Sequence, residues 1–180
     1  REYVRAGRLC WRAPAGTWRL LVVHVARDIK YIDPLHPGSG QAYIDGIHAP
    51  CSKRAHGIGN FFFQDEFFSS SEPLWHPTLM RSLGREAHRL LPALLTDLGP
   101  DGSALRVRWT EAQAARVRRC FFAPVGDWHA RRGLLYGCDQ PSRGTNPSEY
   151  GDYLGAIRHF TAPGHDVPIS GVDVFKGKCS

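Results

Sequence analysis

Two short apolar runs, each stopped by a cluster of polar residues, constrain the fold more than any other feature of the chain. Ile58-Gly59-Asn60-Phe61-Phe62-Phe63 breaks into Gln64-Asp65-Glu66, and Leu134-Leu135-Tyr136 runs into Cys138-Asp139-Gln140. A segment apolar at successive positions suits a strand buried on both faces, as in a parallel sheet. Trp18-Arg19-Leu20-Leu21-Val22-Val23-His24-Val25 reads the same way, and Asp166-Val167-Pro168-Ile169-Ser170 gives a fourth strand-like segment.

Helices are expected between these runs. One covers residues 39–48, with Tyr43, Ile44 and Ile47 on one face; a short one covers 79–84, ahead of a Leu-rich segment at 90–95. Gly99-Pro100-Asp101-Gly102 reads as a turn, and a long amphipathic helix then starts at Ser103. Its apolar stripe is Val107, Ala114, Val117, Phe121, Val125 and Trp128; Pro124 is expected to kink it and Gly133 to cap it. Another helix is expected near 150–160. Strand–helix alternation with polar residues at strand C-termini predicts an α/β fold with parallel strands. A (β/α)8 barrel carries its working groups at those C-termini but needs about 250 residues. About four strand–helix units are legible in these 180 residues, so the expected architecture is a partial (β/α)8 TIM barrel in one domain.

Charge and cysteine content exclude several functions. The net charge of +6 comes from 23 Lys and Arg against 17 Asp and Glu, and nearly all the basic residues are arginines spread along the chain. The densest runs, Arg116-Val117-Arg118-Arg119 and Arg131-Arg132, read as solvated helix edges, so no nucleic-acid partner is expected. Five widely spaced cysteines without a CxxC pair argue against a zinc knuckle or a disulfide framework, and no metal site is expected from His or Cys spacing. No apolar stretch is long enough to span a bilayer, so no membrane partner is expected. The chain opens on Arg1 and stops after a Lys-Gly-Lys-Cys run, which reads as a piece of something longer.

An ordered set of motifs resembles the α-L-rhamnosidase type of barrel glycoside hydrolase. Trp11-Arg12-Ala13-Pro14-Ala15-Gly16-Thr17-Trp18 is similar to that family's W-x-x-P-x-G-x-W approach to a core strand, and Tyr31-Ile32-Asp33-Pro34-Leu35-His36-Pro37 to its Y-x-D-L-L-N-P. Phe61-Phe62-Phe63-Gln64-Asp65-Glu66 resembles a strand ending F-x-D-E. Gly126-Asp127-Trp128-His129 with Gly133-Leu134 resembles the W-x-x-x-x-G-L lead into the next strand, and Pro163-Gly164-His165-Asp166 resembles P-G-I-D. The resemblance covers nearly the whole chain and implies that residues 1–180 are a central section of a catalytic barrel acting on an oligo- or polysaccharide. It implies calcium as a possible support, no required cofactor, and a secreted or periplasmic parent protein.

Glycoside hydrolysis needs a carboxylic acid to protonate the leaving oxygen and a second carboxylate at the anomeric centre. Glu66, after three phenylalanines, suits the acid, because an apolar setting raises a carboxyl pKa; the resemblance implies the same role. Asp65 would point to the opposite side of the strand and is assigned to substrate binding. The resemblance calls for a histidine with a nearby glutamate after the following strand; Cys138 stands at the histidine position and Asp139 is the nearby carboxylate, the candidate base. Inversion, which the resemblance implies, needs the two carboxyls about 6.5–9.5 Å apart. Asp33, His165, Asp166 and the loop residue Trp75 complete the candidate sugar-binding set. Loss of the expected histidine leaves open a non-catalytic carbohydrate-binding relative.

Overall fold

The computed structural model describes residues 4–5, 7–22, 25, 32–55, 57–65, 74–138 and 152–164. A small antiparallel hairpin opens it, β1 (Val4–Arg5) with β2 (Arg8–Leu9), turning at Gly7, whose φ of 76° lies in the left-handed region that glycine tolerates. Residues 10–22 then form no strand. Val22 is 77% exposed, and Leu20 and Leu21 are also exposed. A run apolar on both faces holds as a strand only with partners beside it, and the described residues supply none here. Trp18 instead folds back locally, its indole N–H donating to the Pro14 carbonyl at 2.8 Å and its ring lying edge-on to Trp11. The expected strand over 18–25 is thus absent from its described part; residues 23 and 24 lie outside.

The first helical unit starts where the sequence places it and runs further. Helix α1 (Ser39–Tyr43) passes through a π-helical turn (Ile44–His48) into α2 (Ala49–Ala55). Strand β3 (Phe61–Gln64) follows, then α3 (Pro77–Leu83), α4 (Arg85–Leu90) and a 3₁₀ turn (Leu91–Leu94). Pro77 occupies the first turn of α3, where its missing N–H costs nothing, and the His76 ring accepts the Thr78 N–H as the cap. The longest helix, α5 (Gly99–Val117), continues through a π turn (Arg118–Phe122) into α6 (Ala123–Ala130). Gly99-Pro100-Asp101-Gly102 is therefore the first turn of α5 rather than a connection, because proline is tolerated there.

The stripe along this helix is largely as expected, with one correction. Ala114, Val117, Phe121, Val125 and Trp128 are buried, but Val107 is exposed; Leu105 and Trp109, four residues apart, carry the buried face near the N-terminal end. Pro124 falls just after a π turn, a helix defect that absorbs a missing donor. In the turn before Pro124, the Cys120 carbonyl accepts the Ser39 hydroxyl at 3.0 Å. Close approach of α1 to this turn needs Gly40, since a Cβ there would come within 2.8 Å of the Phe121 carbonyl oxygen. Gly133, at φ 66°, ends the turn after α6 as expected.

Strand β4 (Leu135–Cys138) pairs with β3 in parallel, with Phe61 opposite Leu135, Phe62 opposite Tyr136, Phe63 opposite Gly137 and Gln64 opposite Cys138. Helices α3 to α6 form the crossover between the two strands, so this part is a β–α–β unit. Of the four parallel strands expected, two are present among the described residues. Phe61 and Phe63 are exposed on one face while Phe62 is half-buried on the other, so β3 is covered on one side only. Helix α7 (Tyr153–Ala156) and a 3₁₀ turn (Ile157–His159) come last. The segment 161–164 then returns along β4, with Thr161 and Ala162 N–H groups donating to the Tyr136 carbonyl and Gly164 N–H to the Cys138 carbonyl. The strand-like segment at 166–170 lies outside the described residues. Among the described residues no helix is long and apolar enough to cross a membrane.

Candidate functional site

The parallel register puts the polar ends of β3 and β4 side by side. Gln64 faces Cys138, and Asp65 follows Gln64 as an exposed residue. Gly164 joins them through its hydrogen bond to the Cys138 carbonyl at 3.3 Å. The chain thus brings together the residues that immediately precede three of the candidate segments, which start at Glu66, Asp139 and His165. Glu66, Asp139, His165 and Asp166 themselves lie outside the described residues. Two glycines make the convergence possible. A Cβ on Gly137 would collide with the Ala162 carbonyl, and one on Gly164 with the Phe63 ring.

Below this end lies a buried polar column. Tyr136 is fully buried, and its hydroxyl donates to Gln64 Oε1 at 2.9 Å, fixing the glutamine that precedes Asp65. Burial, then the nearby Cys138 and Tyr43, push the Tyr136 phenol well above its ordinary pKa, so it remains a donor. The Tyr136 ring stacks on His129 with 4.8 Å between centroids and 11° between planes. His129 gives its Nδ1 proton to the Val125 carbonyl at 2.8 Å, because a carbonyl only accepts; Nε2 is then a buried lone pair, and it has no partner. His48, from the π turn after α1, lies 4.7 Å from His129 between ring centroids, and its Nδ1 is also unpartnered. Burial, then the facing His129, push the His48 pKa down to about 4. Burial likewise lowers His129, against the opposing effect of its Val125 hydrogen bond. Both rings are neutral at pH 7 and serve as packing beneath the strand ends.

Two further candidates, Asp33 and Trp75, are tied to α5 through their chain neighbours Leu35 and Leu74. Asp33 is exposed and shapes the turn before α1, with Oδ1 accepting from Leu35 N–H at 2.9 Å. Trp75 is exposed, and Leu74 before it donates its N–H to Gln113 Oε1 on α5 at 3.1 Å. The charge of Asp33 reaches His76, the residue after Trp75. Arg116 on α5, expected on a solvated helix edge, is instead only 8% exposed. Its Nε donates to the Leu35 carbonyl at 2.6 Å. Arg118, from the same charge run, pairs with Asp152. Spacing held the clue to Arg116: it lies seven residues after Trp109 and three after Gln113, on the buried face of α5. The run of neighbouring arginines concealed it.

No family model, no curated protein and no solved structure matches the chain. Among the described residues no group of three His, Cys, Asp or Glu side chains could hold a metal ion. Cys138, standing where that resemblance expects histidine, is 1% exposed and presents no surface to a substrate.

Proposed function

We propose that the chain is a section of a (β/α)8-barrel glycoside hydrolase that cleaves α-L-rhamnosides or related glycosides in a polysaccharide with inversion. The observation that carries this reading is the parallel pairing of β3 with β4, which sets the chain leading to Glu66 beside the chain leading to Asp139. Neighbouring parallel strands are about 4.8 Å apart. Carboxyls projecting from two such strand ends can reach the separation of about 6.5–9.5 Å that leaves room for an attacking water. In this reading Glu66, protonated, gives its proton to the glycosidic oxygen as the bond to the anomeric carbon breaks. Asp139 takes a proton from the water attacking the opposite face. Asp65, His165 and Asp166 bind sugar hydroxyls from the same end, and Asp33 and Trp75 extend the substrate surface.

A second reading, a sugar-binding relative without turnover, draws on Cys138. A buried thiol cannot supply the hydrogen bonds that a histidine would give at that position. An assay of aryl α-L-rhamnoside and a panel of aryl glycosides, with Glu66→Gln and Asp139→Asn alongside, separates the two. Loss of activity in Glu66→Gln, partly rescued on substrates with very good leaving groups, supports the acid role. Binding without turnover favours the second reading, and an active Glu66→Gln enzyme refutes the assignment.

A further inference from the structure

Among the described residues, the buried Arg116 guanidinium has no carboxylate in hydrogen-bond contact. Among the described residues its Nε donates to the uncharged Leu35 carbonyl, and Nη2 is buried without a partner. A buried charge without an opposite charge is among the costlier arrangements in a protein, and a bound anion relieves it. His76, on which its charge acts, and His36, next to Leu35 in the chain, can serve as donors as well. His76 Nδ1 accepts the Thr78 N–H at 3.3 Å and His36 Nδ1 accepts the Gly38 N–H at 3.1 Å. A backbone N–H only donates, so in this geometry each ring carries its proton on Nε2. The two rings lie edge-to-face, 6.2 Å apart. Among the described residues, the groups whose charge acts on His76 are Arg116, Asp33, His36 and Arg81, and Asp33 is the carboxylate of this set. Burial, then Arg116, lowers the His76 pKa, which keeps it a neutral N–H donor near pH 7.

We propose that Arg116, His76 and His36 form an oxyanion site that takes the carboxylate of an acidic, uronic-type sugar. The planar guanidinium matches a carboxylate, and the exposed indole of the adjacent Trp75 offers a face on which the sugar ring can stack. The assignment of a sugar rests on the glycoside hydrolase reading; the anion site itself rests on Arg116.

The test is thermal unfolding of the protein in glucuronate, sulfate, chloride at matched ionic strength, and glucose. Glucuronate raises the midpoint above chloride and glucose; at 100 times its Kd the folded-to-unfolded ratio rises about 100-fold. Arg116→Met weakens glucuronate binding about 10- to 100-fold. Because Arg116 is buried, a second variant is needed that spares the core. His36→Asn/His76→Asn keeps a side-chain oxygen to accept the Gly38 and Thr78 N–H groups but removes both Nε2–H donors, and it also weakens binding. No glucuronate shift beyond chloride overturns the proposal, as does a shift retained in both variants. A shift with sulfate alone overturns the sugar acid. Glucuronate binding that both variants lose, in a protein inactive on every glycoside, supports this site while removing the hydrolase reading.

Discussion

Acid should unfold this protein through His48, and the magnitude follows from its surroundings. The imidazole is 4% exposed, lies among Tyr43, Phe62, Trp128, His129 and Tyr136, and has no partner for Nδ1. Its pKa falls from 6.5 to about 4 on folding. Between those values the unfolded chain binds more protons than the native one, so stability falls as pH falls. The His48 contribution is complete above pH 6.5 and is gone below about pH 4. At 1.36 kcal/mol per unit the loss is about 3 kcal/mol, a large part of the usual stability of a domain. His129 shifts in the same direction and adds to the loss. Urea unfolding followed by tryptophan fluorescence from pH 8 to pH 4 measures this slope. His48→Phe, which keeps an aromatic ring in the cage and removes the titration, flattens the slope by about 3 kcal/mol over the same window. Equal slopes in wild type and variant would refute the reasoning.

Three other substitutions probe how the strand ends and the turn before Pro124 are held. Gly137→Ala drives a methyl into the Ala162 carbonyl and displaces segment 161–164 from β4; a loss of about 1–3 kcal/mol in chemical denaturation is expected, with loss of any activity that depends on His165 or Asp166. Tyr136→Phe leaves Gln64 Oε1 buried without its donor and costs about 1–3 kcal/mol, measured in the same way. Ser39→Ala removes the hydroxyl from the Cys120 carbonyl and costs about 1–2 kcal/mol, with faster amide exchange in the Arg118–Phe122 turn as the local readout.

The elements legible in the sequence are those whose pattern is local. The Ser39 helix start, the strand expected at 134–136 and found at Leu135–Cys138, the Gly133 cap and the spacing of Val117, Phe121 and Val125 follow from helix and strand periodicity and from turn chemistry. The Trp18–Val22 run did not become a strand, because a strand is a property of its neighbours. Gly99-Pro100 has turn composition and helix-start composition alike, and only the packing of Leu105 and Trp109 decides between them. For the site, sequence alone gave polar clusters at two strand ends; that Gln64 stands opposite Cys138 is a register across 74 residues, which no local pattern encodes. The buried His48–His129 pair was invisible for the same reason, its members coming from helices far apart in the chain.

That same separation shapes how the protein is made. Phe61 and Leu135 are register partners, yet Phe61 emerges from the ribosome 74 residues ahead of Leu135. At ordinary synthesis rates the Phe61-Phe62-Phe63 run waits roughly 4–15 s for its partner strand. During that interval a triple-phenylalanine β segment with unpaired backbone is available to any other nascent chain, which is the usual trigger for chaperone capture. Expression yield of this protein is therefore expected to follow chaperone supply and growth temperature more closely than it follows the stability of the finished fold.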